Sequence, residues 1–592
     1  MTAQYQSLGQ PCRNFNILGI ERIDDPRDGR EKVVLSNFAS GAIGNLVLLD
    51  PASGEGEAIS LPADNGAWAV LNLANQKLLV GTCPEAGMLH CLDLARREWA
   101  PPLRDPHETY IWNLCLGSDG MVYGGTYPGC ALLRYDPQRH TLDNLGRLSA
   151  NPGDLYSRTV YGGLPGYLLI ACGYASPHLV LWDIAAGAAR PFGKPGAVVK
   201  EINARFICTE TAGALDFYDT ASLAPLDVDW RDQLAPPLPR APYAGMSFSI
   251  PLRDGTTLAT RGQDYYIYDG RERAPALKPI PTPRPPTRIH TITSDARGRI
   301  WGSAAFGQTI FCFDPASGDL WNSPVVCDSG GEVYGMCFSG ERLFMSAYSG
   351  GDHIVYDPAL AWTQAESRVR GADNVNPRTL SAMAPDFIRP ATRSLIGPDG
   401  AFWTGWWAGY GTYGGALSRV DVDTLQVRRW DNPIPSQALV SLAADNRCLY
   451  FATGGVANGL PEKSEPLHFV VCSPEGKSVW QQEFAAGQRL HCVAAAGGLV
   501  ALSMEHEIRV FDPEELTFQR TIALQEDCHY ALAWNDGALA AFCGHSLWRV
   551  NLAAGECRRI ADLPGEVHCA TRTPDGRLFF ACDTTLYQLL ED

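Results

Sequence analysis

Residues 113–137 read NLCLGSDGMVYGGTYPGCALLRYDP. A short apolar strand runs into a D-G turn. A second strand follows, then a Gly-rich gap, a third strand and an acidic stop. Gly supplies the positive φ that a tight hairpin needs. Alternating Val, Tyr and Leu suit a pleated, buried face. Asp-Pro ends the strand because Pro has no amide donor. Residues 291–315, TITSDARGRIWGSAAFGQTIFCFDP, repeat the pattern, and so do residues 394–421, SLIGPDGAFWTGWWAGYGTYGGALSRVD. Looser copies cover 160–183 and 531–551, and a last one starts at Ala570. Helical periodicity is nearly absent, so each unit reads as one small antiparallel sheet.

Such a sheet cannot bury both faces alone. Radial stacking about a channel does so and protects the edges, which predicts an all-β chain of β-propellers. Unit starts fall near Trp68, Trp112, Arg158, Glu201, Gly245, His290, Tyr334, Thr392, Leu439, His491, His529 and His568. That is too many for one ring of about 4–8 blades. The chain's 592 residues also exceed what one core sustains. Residues 273–287, RAPALKPIPTPRPPT, hold six prolines and form a stiff extended segment. The reading is two tandem β-propellers: an N-terminal one over 1–272, six- or seven-bladed, a Pro-rich linker over 273–288, and a seven-bladed one over 289–592.

Forty-eight basic against 65 acidic residues give a net charge of −17. No basic run is longer than a pair, as at Arg96-Arg97 and Arg428-Arg429, which disfavours nucleic acid and anionic membrane as partners. No apolar run is long enough to span a bilayer as a helix. The first twenty residues lack the basic and apolar regions of an export signal, and no C-x-x-C occurs. The 18 cysteines are therefore expected as free, mostly buried thiols in a reducing, cytoplasmic setting.

Counting back from the turn glycine places one residue at a fixed entry to each innermost strand. Trp112, Arg158, His290, Thr392, His529 and His568 lie eight before it, and His491 lies seven before. Four of the seven C-terminal starts are thus His, where chance places about 0.14. His491, His529, His568 and, on ring closure, His290 would line one arc of a channel. Imidazole is the commonest metal ligand and a natural acid–base group. The arc is expected to hold one divalent transition metal (Mn, Fe or Zn) or to act without one. Its bland alternative is four His bonded to water and backbone. Across the channel, Glu332, Tyr334 and Arg393 are candidate catalytic groups. Arg389 and the aromatics Trp406, Trp407, Tyr410 and Tyr413 are candidate substrate-binding groups. The N-terminal mouth offers Trp68, His107, Glu108, Tyr110, Trp112, Tyr127, Tyr156, Arg158, Glu201 and Asn203, a rim suited to binding a ligand or a protein partner.

The units GSDGMVYGGTYPGCALLRYDP, DARGRIWGSAAFGQTIFCFDP, GPDGAFWTGWWAG and TPDGRLFFAC resemble the repeats of the streptogramin-lyase-like propeller family, and more distantly those of propeller-type polysaccharide lyases. The resemblance implies a seven-bladed ring with a His/Glu, metal-assisted elimination site at the channel mouth. His290, His491, His529 and His568 match by position, with Glu332 as acidic partner. The doubled length departs from that family. The functional expectation is a lyase-type enzyme acting on a small or oligomeric substrate, carbohydrate or cyclic. One alternative is a non-catalytic double-propeller scaffold; another is a four-His iron oxygenase.

Overall fold

A computed structural model describes residues 4–590 apart from 174–175, 229, 236–239, 271–274, 392 and 535. Thr392 and the start of the Pro-rich segment, Arg273 and Ala274, lie outside the described residues. The described chain is all-β. Thirteen antiparallel sheets follow one another, with one-turn 3-10 segments at Arg231–Gln233 and Gln364–Glu366. Six sheets, from Ile17–Asp24 to Lys278–Pro279, form the N-terminal ring, which resolves the six-or-seven alternative to six. Seven sheets, beginning at Ile289–Ser294, form the C-terminal ring.

Burial along a blade follows position. The second strand Lys77–Cys83 is buried at six successive residues, because each face packs on a neighbouring blade. The fourth strand Thr141–Arg147 has only exposed and half-buried residues. The D-G turns carry a second function beyond reversing the chain. The turn Asp accepts a hydrogen bond from an aromatic side chain of the second strand: Tyr123 Oη to Asp119 at 2.9 Å, Trp301 Nε1 to Asp295 at 3.0 Å and Trp403 Nε1 to Asp399 at 2.9 Å. This pairs a polar turn with a buried ring, and it explains why the repeat reads D-G and then Tyr or Trp. The turn glycines do adopt positive φ, +79° at Gly120 and +80° at Gly298.

Apolar clusters join successive blades and close the C-terminal ring. Ile289, Ile300 and Phe311 of its first blade pack on Cys569, Phe579 and Leu586 of its last. In the N-terminal ring, Val33, Leu35 and Val47 of the first blade pack on Leu252, Leu258 and Tyr265 of the sixth.

The expected unit boundaries shift at both ends. Gln4–Ser7 is not part of the N-terminal ring. It pairs with Thr585–Leu590 as the outer strand of the last blade. Lys278 and Pro279, expected in the linker, pair with Asp264 and Tyr265 as the outer strand of the sixth blade. The N-terminal ring is thus an insertion between one outer strand of the C-terminal ring and the rest of it. Two connections join the rings, and they bond to each other and to the blades: Thr287 N to Cys12 O at 3.0 Å and Arg288 N to Ser40 O at 2.7 Å. Between the rings Arg261 and Asp328 form a buried ion pair at 3.1 Å, and Gln364 bridges to both. None of the 18 cysteines forms a disulfide. Among the described residues no helix is long and apolar enough to cross a membrane.

Closure by Gln4–Ser7 generates a prediction. Tyr5 packs edge-on against Phe580 and Tyr587, with centroids 5.9 and 5.5 Å away. Tyr5→Ala is expected to cost about 2 kcal/mol, from two aromatic pairs and the area they cover, whereas Tyr5→Phe stays near wild type. Chemical denaturation followed by tryptophan fluorescence checks this, and deletion of residues 1–7 should cost more than either.

Candidate functional site

A local device aims one residue of almost every innermost strand at the channel mouth. The register slips by one at the start of these strands, a β-bulge that leaves a single residue unpaired. The slips fall between Ala67 and Ala69, Ile111 and Asn113, and Ser157 and Thr159 in the N-terminal ring. In the C-terminal ring they fall between Ile289 and Thr291, Val333 and Gly335, Phe387 and Arg389, Leu490 and Cys492, and Cys528 and Tyr530. The bulged residues are therefore Trp68, Trp112, Arg158, His290, Tyr334, Ile388, His491 and His529. Most are the unit starts read from the sequence. Two starts move by one: Val199/Glu201 and Leu439/Ser441 bracket Lys200 and Val440, not Glu201 and Leu439. His568 directly precedes its strand, Cys569–Arg572.

The two mouths meet. A cavity of about 200 Å³ is walled on one side by Trp68, Tyr110, Trp112, Tyr127 and Tyr156, and on the other by Phe306, Tyr348, Arg389 and Tyr410. Tyr110 stacks on Trp112 at 4.6 Å, and the Arg158 guanidinium lies 3.8 Å from the Trp112 ring. Phe38 and Phe306 pack edge to face at 4.9 Å across the boundary. The N-terminal rim expected to receive a partner thus faces the C-terminal ring of its own chain.

Arg389 centres the polar part. Its Nη1 donates to Tyr334 Oη at 2.5 Å and its Nε to Asn458 Oδ1 at 2.8 Å, and its guanidinium lies 4.3 Å from the Tyr348 ring. Tyr348 and Tyr410 share a hydroxyl hydrogen bond of 2.6 Å. Burial raises the Tyr334 and Tyr348 phenols above their ordinary value, with Arg389 opposing, so both stay protonated at neutral pH. Glu332 is 4% exposed, and its Oε2 is buried with no hydrogen-bond partner. Burial pushes its pKa up to about 7, and the Arg389 charge pulls the other way. The cluster combines one fixed cation, a carboxyl group that titrates near neutrality, and neutral phenols.

Other candidates lie elsewhere. Trp406 is fully buried, donates to Ser418 Oγ at 2.7 Å and packs on His353, so it is a core residue that no ligand can touch. Trp407 pairs with Arg389 across the sheet, and its ring lies 5.7 Å from that guanidinium. Tyr413 bonds Pro461 O at 2.7 Å under the Lys463 ammonium, away from the cavity lining. Arg393 bonds Ala531 O within the channel of the C-terminal ring, apart from Arg389. Glu108 accepts from Gly129 N, and Glu201 from Ala235 N; both carboxylates brace loops.

The four His keep the expected order. His491 and His529 rings are 4.7 Å apart, and His568 is within electrostatic range of both His529 and His290. His290 packs edge-on against Tyr334 at 4.3 Å. Burial depresses its pKa to about 3, helped by Arg288 and Arg389. Among the described residues no group of three or more His, Cys, Asp or Glu is arranged to hold a metal ion.

Sequence reasoning missed Tyr348, Phe306 and Asn458. Tyr127, Phe306 and Tyr348 all sit at or just past the end of a second strand, in GGTYPG, SAAFGQ and SAYSGG. That recurring aromatic was the available signal.

No family model matches the chain, and no curated protein matches it. Among solved structures it is similar to a catalytically inactive histidine-to-alanine variant of virginiamycin B lyase from Staphylococcus aureus, crystallised with quinupristin. Identity is 11%, the TM-score is 0.37, and the match covers 59% of this chain and 99% of that one. The blade assignment rests on the strand pairing, not on this likeness.

Glu332 and His290 make opposite contributions to stability against pH. The folded pKa of Glu332 lies above its ordinary 4.5, so the folded state holds its proton longer and stability falls as pH rises from about 4.5 to 7. That of His290 lies below 6.5, so its contribution is lost as pH falls from about 6.5 toward 3. Glu332→Gln is expected to stabilise the protein by up to about 3 kcal/mol at pH 8, with the gain vanishing below pH 4.5. Urea midpoints at both pH values check it.

Proposed function

We propose that the chain is a lyase-type enzyme working in the cavity between the two propeller mouths, on a substrate that carries a carboxylate beside the bond to be broken. The observation that supports this is Arg389, a half-buried guanidinium set among Glu332, Tyr334, Tyr348 and Tyr410. Arg389 would hold the substrate carboxylate and stabilise the enolate-like charge that develops as the neighbouring C–H breaks. Glu332, titrating near 7, would take that proton. Tyr334 or Tyr348 would give a proton to the leaving oxygen as the β C–O bond breaks and a C=C bond forms. The aromatic wall from Trp68 to Tyr156 would stack on a sugar or aromatic ring. The expected transition metal has no part in these steps; were one bound at the His arc, its imidazole ligands would have to be neutral, as the low pKa of His290 favours.

The test is a panel of uronate-containing oligosaccharides and small β-alkoxy carboxylates, followed by the absorbance of the new conjugated double bond. Arg389→Lys and Glu332→Gln should each lower turnover at least a hundredfold, and Trp112→Ala should chiefly raise KM. The wild-type rate should rise with an apparent pKa near 7 as Glu332 loses its proton. If no panel member is cleaved and none exchanges its α-proton with deuterated solvent, the non-catalytic scaffold reading takes its place.

A further inference from the structure

The channel of the C-terminal ring holds a second cavity, about 290 Å³ in volume. Two guanidinium groups enter it, Arg393 and Arg572. Each donates one hydrogen bond to the innermost strand Cys528–Ala533: Arg393 Nη1 to Ala531 O at 3.1 Å and Arg572 Nη1 to Ala533 O at 3.1 Å. That strand pairs on one edge with Leu539–Cys543, so its other edge faces the channel and its carbonyls there need donors. Residues two apart on a strand point their carbonyls the same way, roughly 7 Å from each other. The two guanidinium groups are therefore docked side by side.

Capping a strand edge does not account for the pair. One bond each uses a fraction of the five donors a guanidinium carries. Arg572 Nε is buried with no partner at all. Among the described residues no carboxylate lines the cavity, although the chain carries 65 acidic residues. Two like charges, half-buried and adjacent, raise each other's energy unless a counter-charge joins them. Among apolar neighbours, Thr291, Thr293 and Thr571 bring hydroxyls to the lining. Tyr530, whose own hydroxyl is used on Ala570 O at 3.0 Å, braces Arg393 with its ring 5.7 Å from the guanidinium.

We propose that this channel binds a small, doubly charged oxyanion held between Arg393 and Arg572, with the threonine hydroxyls completing its shell. The forked donors of arginine fit either a tetrahedral phosphate-like group or a short dicarboxylate. The site is separate from the Glu332–Arg389 cluster, and it stands whether or not that cluster is catalytic.

The experiment is thermal unfolding of the full chain in phosphate, in malonate and in chloride at matched ionic strength. One of the two dianions should raise the midpoint well beyond chloride, and which one does so identifies the geometry. Arg393→Gln and Arg572→Gln should each weaken the apparent affinity at least tenfold, and Arg572→Lys less. Crystals of the unaltered protein soaked in selenate should show an anomalous peak between the two guanidinium groups. The proposal is overturned if neither dianion outperforms chloride, or if the response survives in the double glutamine variant. An empty channel in the selenate map also overturns it, and that map decides should the glutamine variants fail to fold.

Discussion

The antiparallel pairing of Gln4–Ser7 with Thr585–Leu590 sets the architecture. A propeller blade left with three strands presents an unpaired edge, and the first strand of the chain fills it. Because that strand comes first in sequence, the whole N-terminal ring must leave and return between Leu8 and Ile289. Two connections, rather than one linker, then tie the rings together. Each is pinned by backbone bonds, as in Asn14 N to Pro285 O and Ile289 N to Asp583 O. A single flexible tether would let the mouths separate. Two short, mutually bonded tethers hold them face to face, and the aromatic cavity lies where they meet.

The repeat was legible because its chemistry is local. The D-G turn, the aromatic bonded back to the turn Asp and the acidic stop all lie within about 25 residues of sequence. The channel-mouth residues were legible for a related reason. A bulge at a constant position produces a constant offset from the turn glycine, so Trp112, Arg158, His290 and His529 could be lined up without coordinates. Where the offset was read off a less regular unit it slipped by one residue, as at Lys200 and Val440. Long-range facts were not legible. Nothing near Gln4–Ser7 says that its partner is almost six hundred residues away. Nothing in RPATRS says that Arg389 joins the inter-ring cavity while Arg393, four residues on, enters the channel. Arg389 lies on the strand Phe387–Pro390, whereas Arg393 lies between that strand and the next, Leu395–Ile396, so strand alternation does not relate the two.

The aromatic loop WWAGYGTYGG shows the same limit within ten residues. Trp406 and Trp407 are neighbours in sequence, yet one is sealed in the blade core and the other lies beside Arg389. Composition alone marked both as ligand-binding. Strand alternation divides them, and the loop beyond divides them further: Tyr410 reaches the cavity, whereas Tyr413 turns toward Pro461 and Lys463.

The site's electrostatics depend on both rings staying together. Glu332 titrates near 7 because it is buried, and Arg389 holds its charge among phenols shielded from solvent by the opposing aromatic wall. Opening the mouths would hydrate Arg389 and remove the stacking surface in one step. The buried Arg261–Asp328–Gln364 network between the rings is therefore more than a structural cross-link. A buried ion pair adds little net stability, but breaking one leaves an uncompensated charge and is costly. Such a contact disfavours partial separation more than it deepens the closed state. For a cavity lined by groups whose protonation depends on exclusion of water, that is the property that matters.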